Sequence, residues 1–280
     1  MSAASEITRK AKSNLAFALK ILPKDRRDDM VVFYAFCRVI DDLADDLDVP
    51  ASQRAAALAT WKDGLENGFA APDDFQREVV ELRERKAIPT DLLTAIIDGC
   101  AMDLHPQRFG TWEDLSQYTW KVACAVGLVS VRLFGCQHPD SDKYAVALGH
   151  ALQLTNILRD VGEDLSNSVR IYLPLADLGR FQYTERDLIG RVHDGRFMAM
   201  MAYQAERAES FFQEAESLLP ASDRAALTPA IIMAETYHTL LERMRKDGFR
   251  VFDRRYSLSK ARKFTILSKH LIARKKPVRE

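Results

Sequence analysis

Two acidic stretches, more than a hundred residues apart, carry the chemistry this sequence could perform. The first, from Asp41 to Asp48, reads DDLADDLD, five aspartates in eight residues. On a helix, Asp41 and Asp45 project from one face a turn apart. Asp42 and Asp46 repeat the pair about 100° further round. Like charges in this register repel by about 0.2–0.5 kcal/mol when exposed, and by more when buried. A divalent cation would remove that repulsion. A solvated acidic helix end is the plain alternative, but the apolar YAFCRVI that precedes it takes the helix into a core before presenting its acids. The second stretch, QLTNILRDVGEDL, sets Asn156, Asp160 and Asp164 at successive i,i+4 positions, with Gln153 near the same stripe. Oxygen-only ligands without His or Cys suit a hard cation, Mg2+ in preference to zinc or copper. Mg2+ usually takes one or two carboxylates and fills its octahedron with water and substrate phosphate. Two facing aspartate helices therefore suggest a metal cluster that holds a diphosphate. Arg38 and Arg159, each beside one stretch, can give bidentate hydrogen bonds to phosphate; a salt bridge to the neighbouring acids is the alternative for each.

The elements that must position these groups read as helices throughout. Apolar residues recur at spacings of three and four. Helices are expected over Ser5–Ile21, Arg26–Leu47, Ala51–Asn67, Asp74–Lys86, Thr90–Leu104, Thr111–Phe134 and Asp140–Leu165. After a loop at Pro174–Thr184 come Asp194–Leu219, Ala221–Gly248 and Ser259–Lys275. Pro23, Pro50, Pro72, Pro89 and Pro106 punctuate the first half. There is no alternating strand pattern, no internal repeat and no Gly/Pro/Ser-rich linker, so residues 1–280 read as one all-α domain.

Composition excludes several classes. With 40 Lys+Arg against 40 Asp+Glu the formal charge is zero, without the basic excess of a nucleic-acid protein. A hydrophobic fraction of 47% rules out a disordered chain, and only 12 Gly and 10 Pro disfavour an all-β fold of many short strands. Cys37, Cys100, Cys124 and Cys136 show no CxxC spacing and read as reduced core thiols. The charged start lacks the apolar run of a signal peptide and no run of about 18 apolar residues occurs, so a cytoplasmic protein is expected. The zero charge is unevenly spread: Arg243–Glu280 holds fourteen Lys/Arg against three acids. Acidic and basic segments that cancel can converge on one polyanionic, metal-bound ligand.

YAFCRVIDDLADD and NILRDVGED resemble the paired aspartate motifs of the squalene/phytoene synthase family. The resemblance covers nearly the whole chain. KSNLAFALKILP is similar to the family's N-terminal substrate segment, GCAMDL and YTWKVACAVG to its central helices, and RIYLP follows the second motif. FDRRYSLSKARK is similar to its basic C-terminal segment. Departures are YTW where many members have YCY, and GCAMDL where many have GM before the MDL; both could alter cavity shape and product. The DDLAD run also fits the DDxxD of chain-elongating prenyl synthases, but NILRDVGED followed by RIYLP favours the head-to-head family.

The resemblance implies an isoprenoid-synthase helical fold around a central apolar cavity. It implies a prenyltransferase that joins two prenyl diphosphates head to head with two or three Mg2+ ions. By position it assigns Asp41, Asp45, Asn156, Asp160 and Asp164 to metal. It assigns Lys12, Ser13, Arg38, Arg159, Tyr237 and Arg254 to diphosphate, and Tyr118 and Gln153 to the reaction centre. Two farnesyl diphosphates giving presqualene diphosphate or a C30 product are the leading expectation, and phytoene synthesis from two C20 diphosphates is the alternative. NADPH would be required only for a reaction carried on to squalene. A helical protein that sequesters prenyl diphosphates without turnover is a third reading. Loss of an allylic diphosphate needs its growing charge stabilised by metals and arginines, with tyrosine, another polar group or diphosphate taking the final proton. The carbocation must be kept from water, and Phe17, Phe33, Phe36, Val126, Leu128 and Leu152 are candidates for the cavity wall, with core packing as their other role. The basic C-terminal segment could rest on an anionic membrane. Glu235 and His238 have the Glu-x-x-His spacing of di-iron bundles, but with no second such motif they read as ordinary surface or core residues.

Overall fold

The computed structural model describes residues 3–10, 21–168 and 170–274. Lys12, Ser13 and Phe17 lie outside the described residues. Helix α1 spans Ala3–Lys10 and packs on α2, Lys24–Asp45. Pro23 stands immediately before α2, where its missing N–H has no intrahelical acceptor to lose. Met30, Phe33, Phe36, Ile40 and Ala44 are buried along one stripe of α2 at spacings of three and four. The aspartates at its end emerge from the remaining surface.

Pro50 and Pro89 likewise stand before α3 (Ala51–Asn67) and α5 (Thr90–Met102), while Asp73 and Gln76 form a capping box at the start of α4 (Asp74–Arg85). The stretch expected as one helix from Thr111 to Phe134 is divided. Helix α6 (Trp112–Thr119) opens on a Thr111/Asp114 capping box, a π-helical turn follows at Trp120–Cys124, and α7 (Ala125–Phe134) ends at Gly135 with φ 76°. Long-range packing produces the division. At Gly149 on α8 (Asp140–Ser168), an added Cβ would lie 2.8 Å from Cys124 Cα, so the two backbones touch at the π turn. Periodicity alone cannot register such a contact, and π turns of this kind collect at functional sites.

The loop expected at Pro174–Thr184 contains a short helix, α9 (Leu175–Arg180), and α10 (Glu185–Ile189) follows it. Asp194 caps α11 (Gly195–Leu218) by accepting hydrogen bonds from the backbone N–H of Arg196 and Phe197. The helix expected from Ala221 begins only at Thr228, after turns over residues 221–227; α12 is Thr228–Lys246 and α13 is Lys260–Arg274. Among the described residues the regular structure is helical, with one isolated bridge pairing Arg108 and Ile171. Helix α8 is the axis of the assembly, flanked by α11, α12, α7 and the π turn. Ala151, Leu154, Leu158 and Val161 of α8 belong to a core that runs from Ala4 to Leu267. Phe33 and Phe36, at 2% and 0% exposed, are part of that core packing. Val126, Leu128 and Leu152 pack at its margin. No described helix is long and apolar enough to cross a membrane.

Candidate active site

The open end of α2 and the middle of α8 form two walls of a cleft of about 780 Å³. Asp41 and Asp45 line one wall; Gln153, Asn156, Arg159, Asp160 and Asp164 line the other. The i,i+4 stripe expected from sequence therefore faces the first aspartate pair across a common space. Arg38, Tyr118 and Tyr237 join the same lining. Ile157, Leu240 and Leu258 add apolar surface.

Crowded carboxylates leave a mark on their protonation. Burial, reinforced by Asp45, pushes the Asp41 carboxyl up from 3.8 to about 6. Burial and the neighbouring Asp160 push Asp164 to about 7. Asp103 is raised by burial as well, even though it accepts hydrogen bonds from the hydroxyls of Tyr118 (2.8 Å) and Tyr172 (2.7 Å). Tyr118 is held protonated by burial and by the adjacent Asp103 charge. Its ring stacks on Tyr172 at 5.2 Å between centroids, and Phe109 packs against both.

Every arginine of the cleft wall is engaged with a carboxylate. Arg38 pairs with Asp41 at 2.8 Å and also with Asp42. Arg159 grips both oxygens of Asp160, at 2.8 and 2.5 Å. Arg170 spans the cleft, donating to Asp45 Oδ1 at 2.9 Å and to the Asp103 carbonyl at 3.0 Å. Arg255 reaches Asp160 at 3.1 Å and Glu163 at 3.0 Å. The salt bridges read from sequence as the alternative to phosphate binding at Arg38 and Arg159 are thus present. With Lys263 the lining holds five cationic side chains against five aspartates. A cleft of zero formal charge suits a ligand that brings anion and cation together.

Asn156 tests whether a cation fits. Its Oδ1 is buried without a hydrogen-bond partner, and its amide nitrogen makes one long contact, 3.4 Å, to Gln153 Oε1. An unsatisfied buried oxygen is expensive, and here it sits in line with Asp160 and Asp164. The oxygen-only donor set and the raised carboxyls fit a hard divalent ion.

One residue assigned by resemblance lies off the cleft lining, and four without an assignment lie on it. Arg254 does not line the cleft: it pairs with Asp247 and lies 5.4 Å over the Tyr256 ring. Arg255, its neighbour, lines the cleft edge instead, pairing with Asp160 and Glu163 while Arg254 pairs with Asp247. Asp103, Arg170 and Tyr172 belong to no acidic motif and lie within the GCAMDL and RIYLP segments. Their cue was the position of those segments beside the aspartate motifs. What brings them in is a tertiary contact: the N–H groups of Leu175 and Ala176 donate to the carbonyls of Phe109 and Gly110 at 2.9 Å, pinning residues 170–176 beside the end of α5.

Among solved structures, a dehydrosqualene synthase crystallised with a ligand superposes with a TM-score of 0.81 and 29% identity, covering 96% of this chain and 94% of that one. The fold is that of the helical squalene and dehydrosqualene synthases. The family model described as squalene/phytoene synthase matches residues 8–262, and the chain belongs to this family of prenyltransferases. The 15-cis-phytoene synthase of Synechocystis is 35% identical over 249 residues, 84% of this chain and 73% of that protein. The presqualene diphosphate synthase of Rhodopseudomonas palustris is 34% identical over 262 residues, 93% of each chain.

Proposed function

We propose that the cleft condenses two farnesyl diphosphates head to head, releasing diphosphate and forming presqualene diphosphate or a C30 product derived from it. The observation that carries this reading is the convergence of Asp41 and Asp45 with Asn156, Asp160 and Asp164 around one space, the Asn156 oxygen left without a partner. These five side chains would hold Mg2+, which when bound supplies positive charge to the departing diphosphate. Arg38, Arg159 and Arg255 exchange their present carboxylate partners for diphosphate oxygens, so that preorganised cations meet charge as it develops. Tyr118 and Gln153 face the reacting carbons. Tyr118 and Phe109, both buried and packed ring against ring, keep water from the cation. When the condensation ends in loss of a proton, the Tyr118 oxygen can accept it while passing its own to Asp103 Oδ2, 2.8 Å away.

The likeness to the Synechocystis phytoene synthase supports a second reading, the same reaction on two C20 diphosphates. Incubation with Mg2+ and either the C15 or the C20 diphosphate, with and without NADPH, followed by mass spectrometry of the products, decides between them. Mg2+-dependent binding of either substrate without diphosphate release would instead identify a sequestering protein. Helix α13 presents Phe264, 65% exposed, beside the exposed Arg262. It supports contact with an anionic membrane, tested by cosedimentation with vesicles containing phosphatidylglycerol against neutral ones; equal recovery in both would exclude that contact.

A further inference from the structure

A second group of ligating side chains is assembled away from the cleft. Glu209 of α11 and His238 and Glu242 of α12 each offer one ligand atom, and the three atoms lie within 4.8 Å of one another. The Glu235/His238 spacing noted in the sequence does not create this group. Glu235 turns the other way, accepting from Lys269 Nζ at 2.9 Å and His270 Nε2 at 2.7 Å. His238 turns to α11, its Nε2 2.9 Å from Glu209 Oε2. Glu242 follows one turn later on the same face, the i,i+4 register that lets a helix offer two ligands to one ion.

The geometry points to a transition-metal site, and we propose that Glu209, His238 and Glu242 bind one borderline divalent cation such as Zn2+, bolting α11 to α12. One imidazole with two carboxylates is a donor set for Zn2+ or Co2+, whereas Mg2+ prefers oxygen alone. Bonds of roughly 2.0–2.2 Å place tetrahedral ligand atoms about 3.3–3.5 Å apart. To reach that value the Glu209–His238 contact opens from 2.9 Å, while no pair of ligand atoms starts more than 4.8 Å apart. The fourth position opens to water, since the His238 side chain is 42% exposed.

The surroundings already orient two of the ligands. Phe212 meets the imidazole edge to face at 5.3 Å, and Gln213 Nε2 donates to the other Glu209 oxygen at 3.3 Å. Arg245, 3.7 Å from Glu242, is the cation that the metal would displace. Tyr237 is the residue before His238, about 100° around α12 and on the cleft lining. The bolt therefore secures the helix that carries Tyr237 without touching the reacting groups.

Titration of the full chain with Zn2+ and Co2+ under saturating Mg2+, which the proposed function assigns to the aspartate cleft, tests the proposal. Wild type should take up one further equivalent, show visible d–d absorption with Co2+, and gain roughly 5 °C in Tm at a hundredfold excess over Kd. His238→Gln and Glu242→Gln should each lose all three responses. Identical responses in wild type and both variants, or no further equivalent in wild type, would overturn it. Should a variant fail to fold, zinc-edge anomalous diffraction of the wild type decides: a peak between these three side chains supports the site, and its absence there refutes it.

Discussion

Replacing Gly162 with alanine should slow turnover far more than it unfolds the protein. Gly162 lies between Asp160 and Asp164 on α8. A Cβ built there would sit 2.3 Å from the carbonyl oxygen of Val251 and 3.2 Å from Phe252 Cα. Both neighbours are backbone, so no side-chain rotation relieves the overlap. An ordinary contact of about 3.4 Å requires the 251–255 segment to withdraw by roughly 1 Å. That segment delivers Arg255, whose Nε stands 3.1 Å from Asp160 and 3.0 Å from Glu163. After withdrawal both contacts approach 4 Å, beyond hydrogen bonding. A displacement of this size at a catalytic constellation lowers the rate by up to about 10²-fold. Stability changes less: strain of about 1–3 kcal/mol is offset by about 1 kcal/mol of helix propensity. The assay is diphosphate release from the preferred substrate, with thermal melts followed by circular dichroism. Gly179→Ala, whose added Cβ meets nothing within 4 Å, is the control and should behave as wild type. Arg255→Ala should slow turnover similarly, and the double variant should be no worse than either single one. Turnover of Gly162→Ala within threefold of wild type would refute the link from helix contact to Arg255.

Asp41→Ala and Asp160→Ala should each reduce turnover by at least about 10³-fold while leaving far-ultraviolet circular dichroism unchanged; near-native activity in either would remove that residue from the metal set. Arg54 is buried and donates to the Ala44 carbonyl at the end of α2, a helix with no basic residue in its last turn. Arg54→Met should lower stability by about 1.5–3 kcal/mol and raise the Mg2+ concentration for half-maximal activity, read from melts and from Mg2+ titration of the rate. In the metal-free protein Asp41 and Asp164 keep their protons to about pH 6 and 7, against an ordinary 3.8. The folded state thus binds more protons than the unfolded one across this interval, and their contribution to stability declines as pH rises from about 4 to 7. Mg2+ needs the ionised forms, so its stabilising effect on Tm should grow over the same range and protons should be released on binding. Calorimetry in two buffers of different ionisation enthalpy measures the release, and buffer-independent heats would contradict the assignment.

Much of the site was legible because its grammar is local. Helix register alone puts Asp41 with Asp45, and Asn156 with Asp160 and Asp164; prolines before α2, α3 and α5 and capping boxes at α4 and α6 mark where helices begin. These interactions span about four residues, so the chain states them directly. Likeness to a family then placed the two acidic helices opposite each other, and they line one cleft. The π turn was illegible because it arises where α8 presses Gly149 against Cys124, a contact between residues that periodicity treats as unrelated.

The same division separates the remaining residues. Sequence by itself determined an all-helical chain, its paired carboxylates, and a basic C-terminal segment able to balance them. Only tertiary structure decided which cations do so. Arg255 lines the cleft edge, paired with Asp160, while Arg254 pairs with Asp247. Arg170 and Tyr172 join Asp103 because backbone hydrogen bonds hold residues 170–176 beside 108–110. His238 faces Glu209 and not Glu235 because α12 presents different faces to α11 and α13. Spacing along a helix sets which side chains share a face, and the packing of that helix sets what the face meets.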